Sequence, residues 1–303
     1  MNMKMTEPTS HRSQAGFSLL ELVMVCALMS IVLASIFRTI NLAAQRSTSE
    51  QTKVDLTQEG REFVDEFERD LHQAGYPNCR MTATPTEILI AGVPSNCPAD
   101  YVTNPNVAAN SLVAAGLVYV SNTEVVFEGD VDGDGTVDTV RYQLVDSAGN
   151  FPPTTTCPCT IKRSQKAKVN GTMPLAQPFN FSQELQNVVN SGVPAGGATY
   201  GGGLPIAGTT AWGGTNTAYY AAITTFKDFP VFQAYDQTGT LITLPQDLSV
   251  AGNVLNCSPS STNCIKTIRL TIDLLANGVS GVDLKTKTRP VTTLVGDARL
   301  VNN

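Results

Sequence analysis

The residues best suited to chemistry are aspartates at alternating positions, Asp130-Val131-Asp132-Gly133-Asp134-Gly135-Thr136-Val137-Asp138. Hard oxygen ligands at this spacing can wrap Ca2+: carboxylates from Asp130, Asp132, Asp134 and Asp138, the backbone carbonyl of Thr136, and a sharp turn at Gly135. Without a cation, four crowded carboxylates repel one another, which favours a filled site. A strict EF-hand is excluded, because Arg141 stands where a bidentate glutamate belongs and the flanks alternate like strands. The plainer reading is a solvated Asp/Gly hairpin turn.

A second constellation is Gly16-Phe17-Ser18-Leu19-Leu20-Glu21, which opens an apolar run from Phe17 to Phe37 whose one charged member is Glu21. A lone carboxylate in a membrane helix costs about 2.5–3.5 kcal/mol on insertion scales, so it calls for a partner. The remaining constellations point away from catalysis. His11 and His72 are the chain's two histidines, and no G-x-S-x-G nucleophile motif occurs. The Gly-rich stretch 190–217 lacks a phosphate-loop ending and reads as a long surface loop, with Trp212, Tyr219 and Tyr220 packed beneath it. No enzyme is expected.

Six of the seven cysteines follow the apolar run: Cys79, Cys97, Cys157, Cys159, Cys257 and Cys264, with Cys26 inside it. An even set in a loop-rich region suggests an oxidising compartment, although 15 complete pairings are open. Cys79 with Cys97 and Cys257 with Cys264 are the favoured local pairs. A direct Cys157–Cys159 bridge is expected to be strained, which leaves two bridges to elsewhere as its alternative. A four-thiolate zinc site is the competing use of these residues, but no C-x-x-C spacing supports it.

These groups need elements to position them. The 21 residues from Phe17 to Phe37 reach roughly 31 Å as a helix, enough to cross a bilayer. Small residues Ala15 and Gly16 precede the run, opposite to the order of a cleaved secretory signal. No proline occurs between Pro8 and Pro77, so the helix is expected to continue to about Ala74, roughly 58 residues or about 87 Å, and to end at Gly75. Leu56, Gly60, Phe63, Val64, Phe67 and Leu71 form a stripe along its second half that requires a cover. Beyond it, strands are predicted at 87–91, 124–128, 139–145, 229–235, 240–244, 266–275 and 291–300. One face of an antiparallel sheet would cover the stripe, giving an α+β fold with a long helix and long loops. The chain of 303 residues carries a net charge of −6, and this acidity gives no field for a nucleic-acid partner.

The string from Gly16 to Glu21 with its apolar continuation resembles the type IV prepilin signature. That resemblance implies cleavage between Gly16 and Phe17 by a membrane-embedded prepilin peptidase, N-methylation of Phe17, and Glu21 setting register as subunits join a filament. It also implies a leader over 1–16, a transmembrane or filament-core helix over 17–37, its amphipathic continuation over 38–76, and a disulfide-containing β-rich head over 77–303. The N-terminus would face the cytoplasm and the head the periplasm, with passage from the inner membrane to an extracellular pilus. The length, Ala74-Gly75-Tyr76, the acidic loop before Tyr142 and an arginine-bearing C-terminal strand resemble PilW-type minor pilins, which implies a role in pilus assembly at the tip beside major and minor pilins. The acidic loop itself looks like the D-x-D-G-D-G-x-x-D hairpins of calcium-dependent β proteins. A large type II secretion pseudopilin and a tip adhesin are the rival readings.

Overall fold

The computed structural model describes residues 18–77, 111, 113–192, 204, 226–250, 252–256, 263–276 and 291–301, the side chain of Ser49 excepted. Helix α1 runs unbroken from Leu19 to His72, 54 residues. Neither glycine nor proline occurs in it before Gly60. Several of its hydroxyl groups bond back to the helix: Ser30 donates to the Cys26 carbonyl at 2.8 Å, and Thr39 to that of Ser35 at 2.9 Å. The helix gives way at a turn in which Gly75 takes φ +80°, and Pro77 follows. That is the predicted end to within two residues.

Two compact units, Met1–Thr48 and Ser49–Asn303, divide within α1. In the first, every described residue is exposed, Leu20 at 69% and Ile31 at 67% among them. It contains the one helical stretch among the described residues that is long and apolar enough to cross a membrane.

The second unit lays the rest of α1 on an antiparallel sheet. Its strands are β1 (Leu117–Val120), β2 (Glu124–Gly129), β3 (Asp138–Val145), β4 (Cys159–Ala167), β5 (Ser182–Val188), β6 (Phe232–Tyr235), β7 (Leu241–Ile242), β8 (Gln246–Asp247), β9 (Thr267–Leu275) and β10 (Val291–Arg299). Their order is β7-β6-β9-β5-β4-β3-β2-β1-β8, with β10 paired along the whole of β9. The predicted stripe is the buried one: Leu56, Gly60, Phe63, Val64, Phe67 and Leu71 all face the sheet. Phe67 meets Tyr142 of β3 edge-on at 5.2 Å and stacks on Phe232 of β6 at 5.6 Å. The helix lies so close that a Cβ on Gly60 would strike Leu294 of β10, and one on Gly296 would lie 2.5 Å from Val64 Cγ1.

Three features depart from expectation. The strands β1, β4, β5 and β8 were not legible, whereas the segment predicted at 87–91 lies outside the described residues, as do 193–203, 205–217 and the aromatic residues Trp212, Tyr219 and Tyr220. The sheet is covered on both faces over β2 and β3, whose residues are buried with the exception of Arg141, which is intermediate. The reason lies in Arg141, which pairs with Glu124 and is enclosed by the rings of Phe151, Phe179 and Phe181, the nearest at 4.8 Å. Loops from beyond the strands therefore cap the face opposite the helix. Finally, Cys157 and Cys159 bridge one another directly. Their α-carbons are 4.4 Å apart, within the span disulfides take, so separate partners are not needed.

Candidate functional site

Glu21 lies in the first turn of α1 with its side chain exposed, and its N–H donates to the Ser18 carbonyl at 2.9 Å. A carboxylate at this end complements the positive pole of the helix. Gly16 and Phe17 lie outside the described residues, as do Cys79, Cys97 and Cys257. Cys264 is buried and disulfide-bonded, and Cys26 is free and exposed in α1.

The acidic sequence forms the hairpin loop between β2 and β3. Gly133 and Gly135 adopt φ +75° and +85°, a backbone that glycine enters freely. The buried Asp130 organises the turn: Oδ1 accepts the Gly133 N–H at 2.9 Å and Oδ2 the Gly135 N–H at 3.0 Å. Asp132 Oδ1 accepts from Asp134 N at 3.2 Å, and Asp134 Oδ1 from Thr136 N at 2.7 Å. Carboxylate oxygens of Asp130, Asp132 and Asp134 lie within 4.8 Å of one another. Two oxygens on one Ca2+ at 2.3–2.6 Å are at most about 5 Å apart, so this trio fits a single cation. Asp138 stands outside the trio. Its Oδ2 accepts from Gln165 Nε2 at 2.8 Å, and its carboxyl is pushed up to about 6. Burial is the main cause; the Gln165 hydrogen bond opposes it, and the charges of Asp132, Asp134 and Asp130 add to it.

The hairpin springs from the place where α1 ends. Gly75 donates its N–H to the Glu128 carbonyl and Asp130 donates to that of Tyr76, each at 2.8 Å. Gly129 permits this approach, since a Cβ there would strike the Gln73 carbonyl. A second connection runs through side chains. Gln165 of β4 donates from Nε2 to Asp138 and, at 3.5 Å, to Asp132 Oδ2, while its Oε1 accepts from Arg163 Nη2 at 2.8 Å. Arg163 in turn donates to Asp70 Oδ2 on α1 from Nε at 2.9 Å and from Nη2 at 2.6 Å, and Tyr142 adds its hydroxyl to the same oxygen at 2.7 Å. Burial, reinforced by the Asp70 charge, holds the Tyr142 hydroxyl well above its ordinary pKa, so it remains a donor. Beneath the hairpin, Lys168 pairs with Glu128 at 2.5 Å with both side chains fully buried, and Ala115 N–H completes the carboxylate at 2.9 Å. Burial pushes Glu128 up and Lys168 down, and each partner opposes the shift of the other.

Sequence reasoning missed Asp70, Arg163, Gln165 and Lys168. The available signal was an odd one: Arg163 and Gln165 share with Ile161 the helix-facing side of β4, where a strand ordinarily shows apolar residues.

Among known proteins, a family model described as the prokaryotic N-terminal methylation motif matches residues 11–37. No curated protein and no solved structure matches the chain.

Proposed function

We propose that this type IV prepilin-like chain is a minor pilin of the PilW type, acting by association rather than catalysis in the assembly of a type IV pilus, at its tip. The observation that carries the reading is the methylation motif over 11–37 continuing into a helix segment with no burial of its own from Leu19 to Thr48. Such a surface has two solvents available, the bilayer and the apolar helices of neighbouring subunits. Apolar anchoring of the N-terminal unit fits residence in the inner membrane, and the motif fits processing by prepilin peptidase and partnership with pilins in general. Cleavage between Gly16 and Phe17 with methylation of Phe17 would leave Glu21 at the fifth mature position. A neighbour's terminal amine would then neutralise its charge as the helix moves from lipid to filament. The head would lie in the periplasm before assembly and outside the cell after it.

The experiment is mass spectrometry of the protein isolated from cells. The expected chain begins at N-methylated Phe17; a chain retaining its leader overturns the reading, as does cleavage at this junction in Gly16→Ala. A machine-level test separates the pilus from type II secretion: loss of the gene should remove filaments while leaving protein secretion intact. Deletion of 190–217 that abolished attachment but spared filaments would favour an adhesin.

For the hairpin we propose structural Ca2+, held by Asp130, Asp132 and Asp134, with the Thr136 carbonyl and Asp138 Oδ1 completing the shell while Asp138 Oδ2 keeps its bond to Gln165. Bound there, calcium would supply the charge the hairpin lacks. A chelator should lower the melting temperature of the wild type and leave Asp132→Ala unmoved; a wild type indifferent to chelation refutes the site.

A further inference from the structure

Between the acidic hairpin and the buried face of α1 the hydrogen bonding is continuous. One route is main chain, from Asp130 N to the Tyr76 carbonyl and from Gly75 N to the Glu128 carbonyl. The other is side chain, from Asp132 and Asp138 through Gln165 and Arg163 to Asp70, which is 1% exposed. The two routes meet the same end of the same helix. An α-helix finishes on a partial negative charge, and four aspartates stand on the loop laced to that end. Their repulsion therefore acts against the seat that the ladder and Arg163 maintain.

We propose that the hairpin is a charge-controlled clamp: reducing its negative charge tightens the hold of the sheet on residues 63–74 of α1, with Gln165 as the positioning residue that passes the change to Arg163 and Asp70. The amide is set for this task, its oxygen toward the guanidinium and its nitrogen toward the carboxylates. That calcium is what reduces the charge rests on the reading above. Substitution reduces it with no cation at all, which keeps the two ideas separable. In the assembled protein, a clamp at this point would govern how firmly the head grips the helix on which it is carried.

The test is hydrogen exchange of the full-length processed protein in detergent, followed on peptides covering 63–74 and 130–137, with β9 as the internal reference. In Asp132→Asn/Asp134→Asn without calcium, exchange over 63–74 should slow about fivefold, the size of a charge effect at a helix terminus. Calcium should slow the wild type by a similar factor, and Gln165→Met should abolish most of both effects. Protection by calcium confined to 130–137, with no tightening of 63–74 by the asparagine pair, overturns the clamp and leaves the cation site standing. Tightening of 63–74 by the asparagine pair, with no protection by calcium at either peptide, removes the cation and supports the clamp. No change at 63–74 under either condition overturns it, and full effects in Gln165→Met overturn the role of that residue.

Discussion

Arg163 has the most to lose at the scale of a single residue. Its guanidinium makes two hydrogen bonds to a carboxylate that is otherwise sealed between helix and sheet. Arg163→Met leaves Asp70 with the Tyr142 hydroxyl and, as its remaining counter-charge, the exposed Arg69 guanidinium at 3.8 Å, which should lower stability by about 3 kcal/mol in urea unfolding. Asp70→Leu/Arg163→Met removes both charges and should be less damaging than the Arg163 change alone; an additive loss would show that the pair is not coupled. Asp273 on β9 behaves in the opposite sense. Burial raises its carboxyl from 3.8 to about 6 despite the hydroxyl of Thr293 bonded to it at 2.5 Å. Between those values the native state holds more proton than the unfolded chain, so stability falls as pH rises from about 4 to 6 and the whole penalty is present above 6. Asp273→Asn should therefore gain on the order of 3 kcal/mol at pH 7, at 1.36 kcal/mol per pK unit over the rise from 3.8 to about 6, and gain little at pH 4. Melting curves across that range check the sign.

At the scale of elements, glycine decides how near α1 and the sheet approach. Gly60 and Gly129 both sit where a Cβ would collide, but the obstacles differ. Opposite Gly60 is the end of the Leu294 side chain, which can turn aside; opposite Gly129 is the Gln73 backbone, which cannot move without unlacing the helix end. Gly129→Ala should cost about 2–3 kcal/mol and Gly60→Ala about 1 kcal/mol, measured by denaturant titration. Equal losses would mean that both contacts yield in the same way. The strands show the same dependence on neighbours. β9, with Ile268, Leu270, Ile272 and Leu274 alternating against polar residues, is legible at sight, and its partner β10 nearly so. β4 is not, because Arg163 and Gln165 occupy its inward positions, and the justification for polar residues there is Asp70, 93 positions earlier in the chain. No local pattern carries that information.

At the scale of the whole molecule, the described residues of one unit form a core and those of the other do not. Every member of the main buried cluster comes from Leu56 onward, and none from the unit that ends at Thr48. A fragment beginning at Ser49 should accordingly fold in water, with a melting temperature within a few degrees of the full chain in detergent. A molten fragment would mean that the apolar unit helps hold the head together.

The chain alone determined its long helix, that helix's end at Gly75, the buried stripe and the motif at Gly16, Phe17 and Glu21, because each of these depends on spacing within a few turns of one element. It also determined the acidic hairpin loop, in which the hydrogen bonds from backbone N–H groups to the side chains of Asp130, Asp132 and Asp134 span at most five residues. Tertiary structure decided the remainder. It brought Asp70 to Arg163, Lys168 to Glu128 and the three phenylalanine rings to Arg141, and it laid the hairpin against the end of α1. A buried charge is tolerable only beside a partner, and a sheet chooses its partners by register and crossing rather than by nearness along the chain.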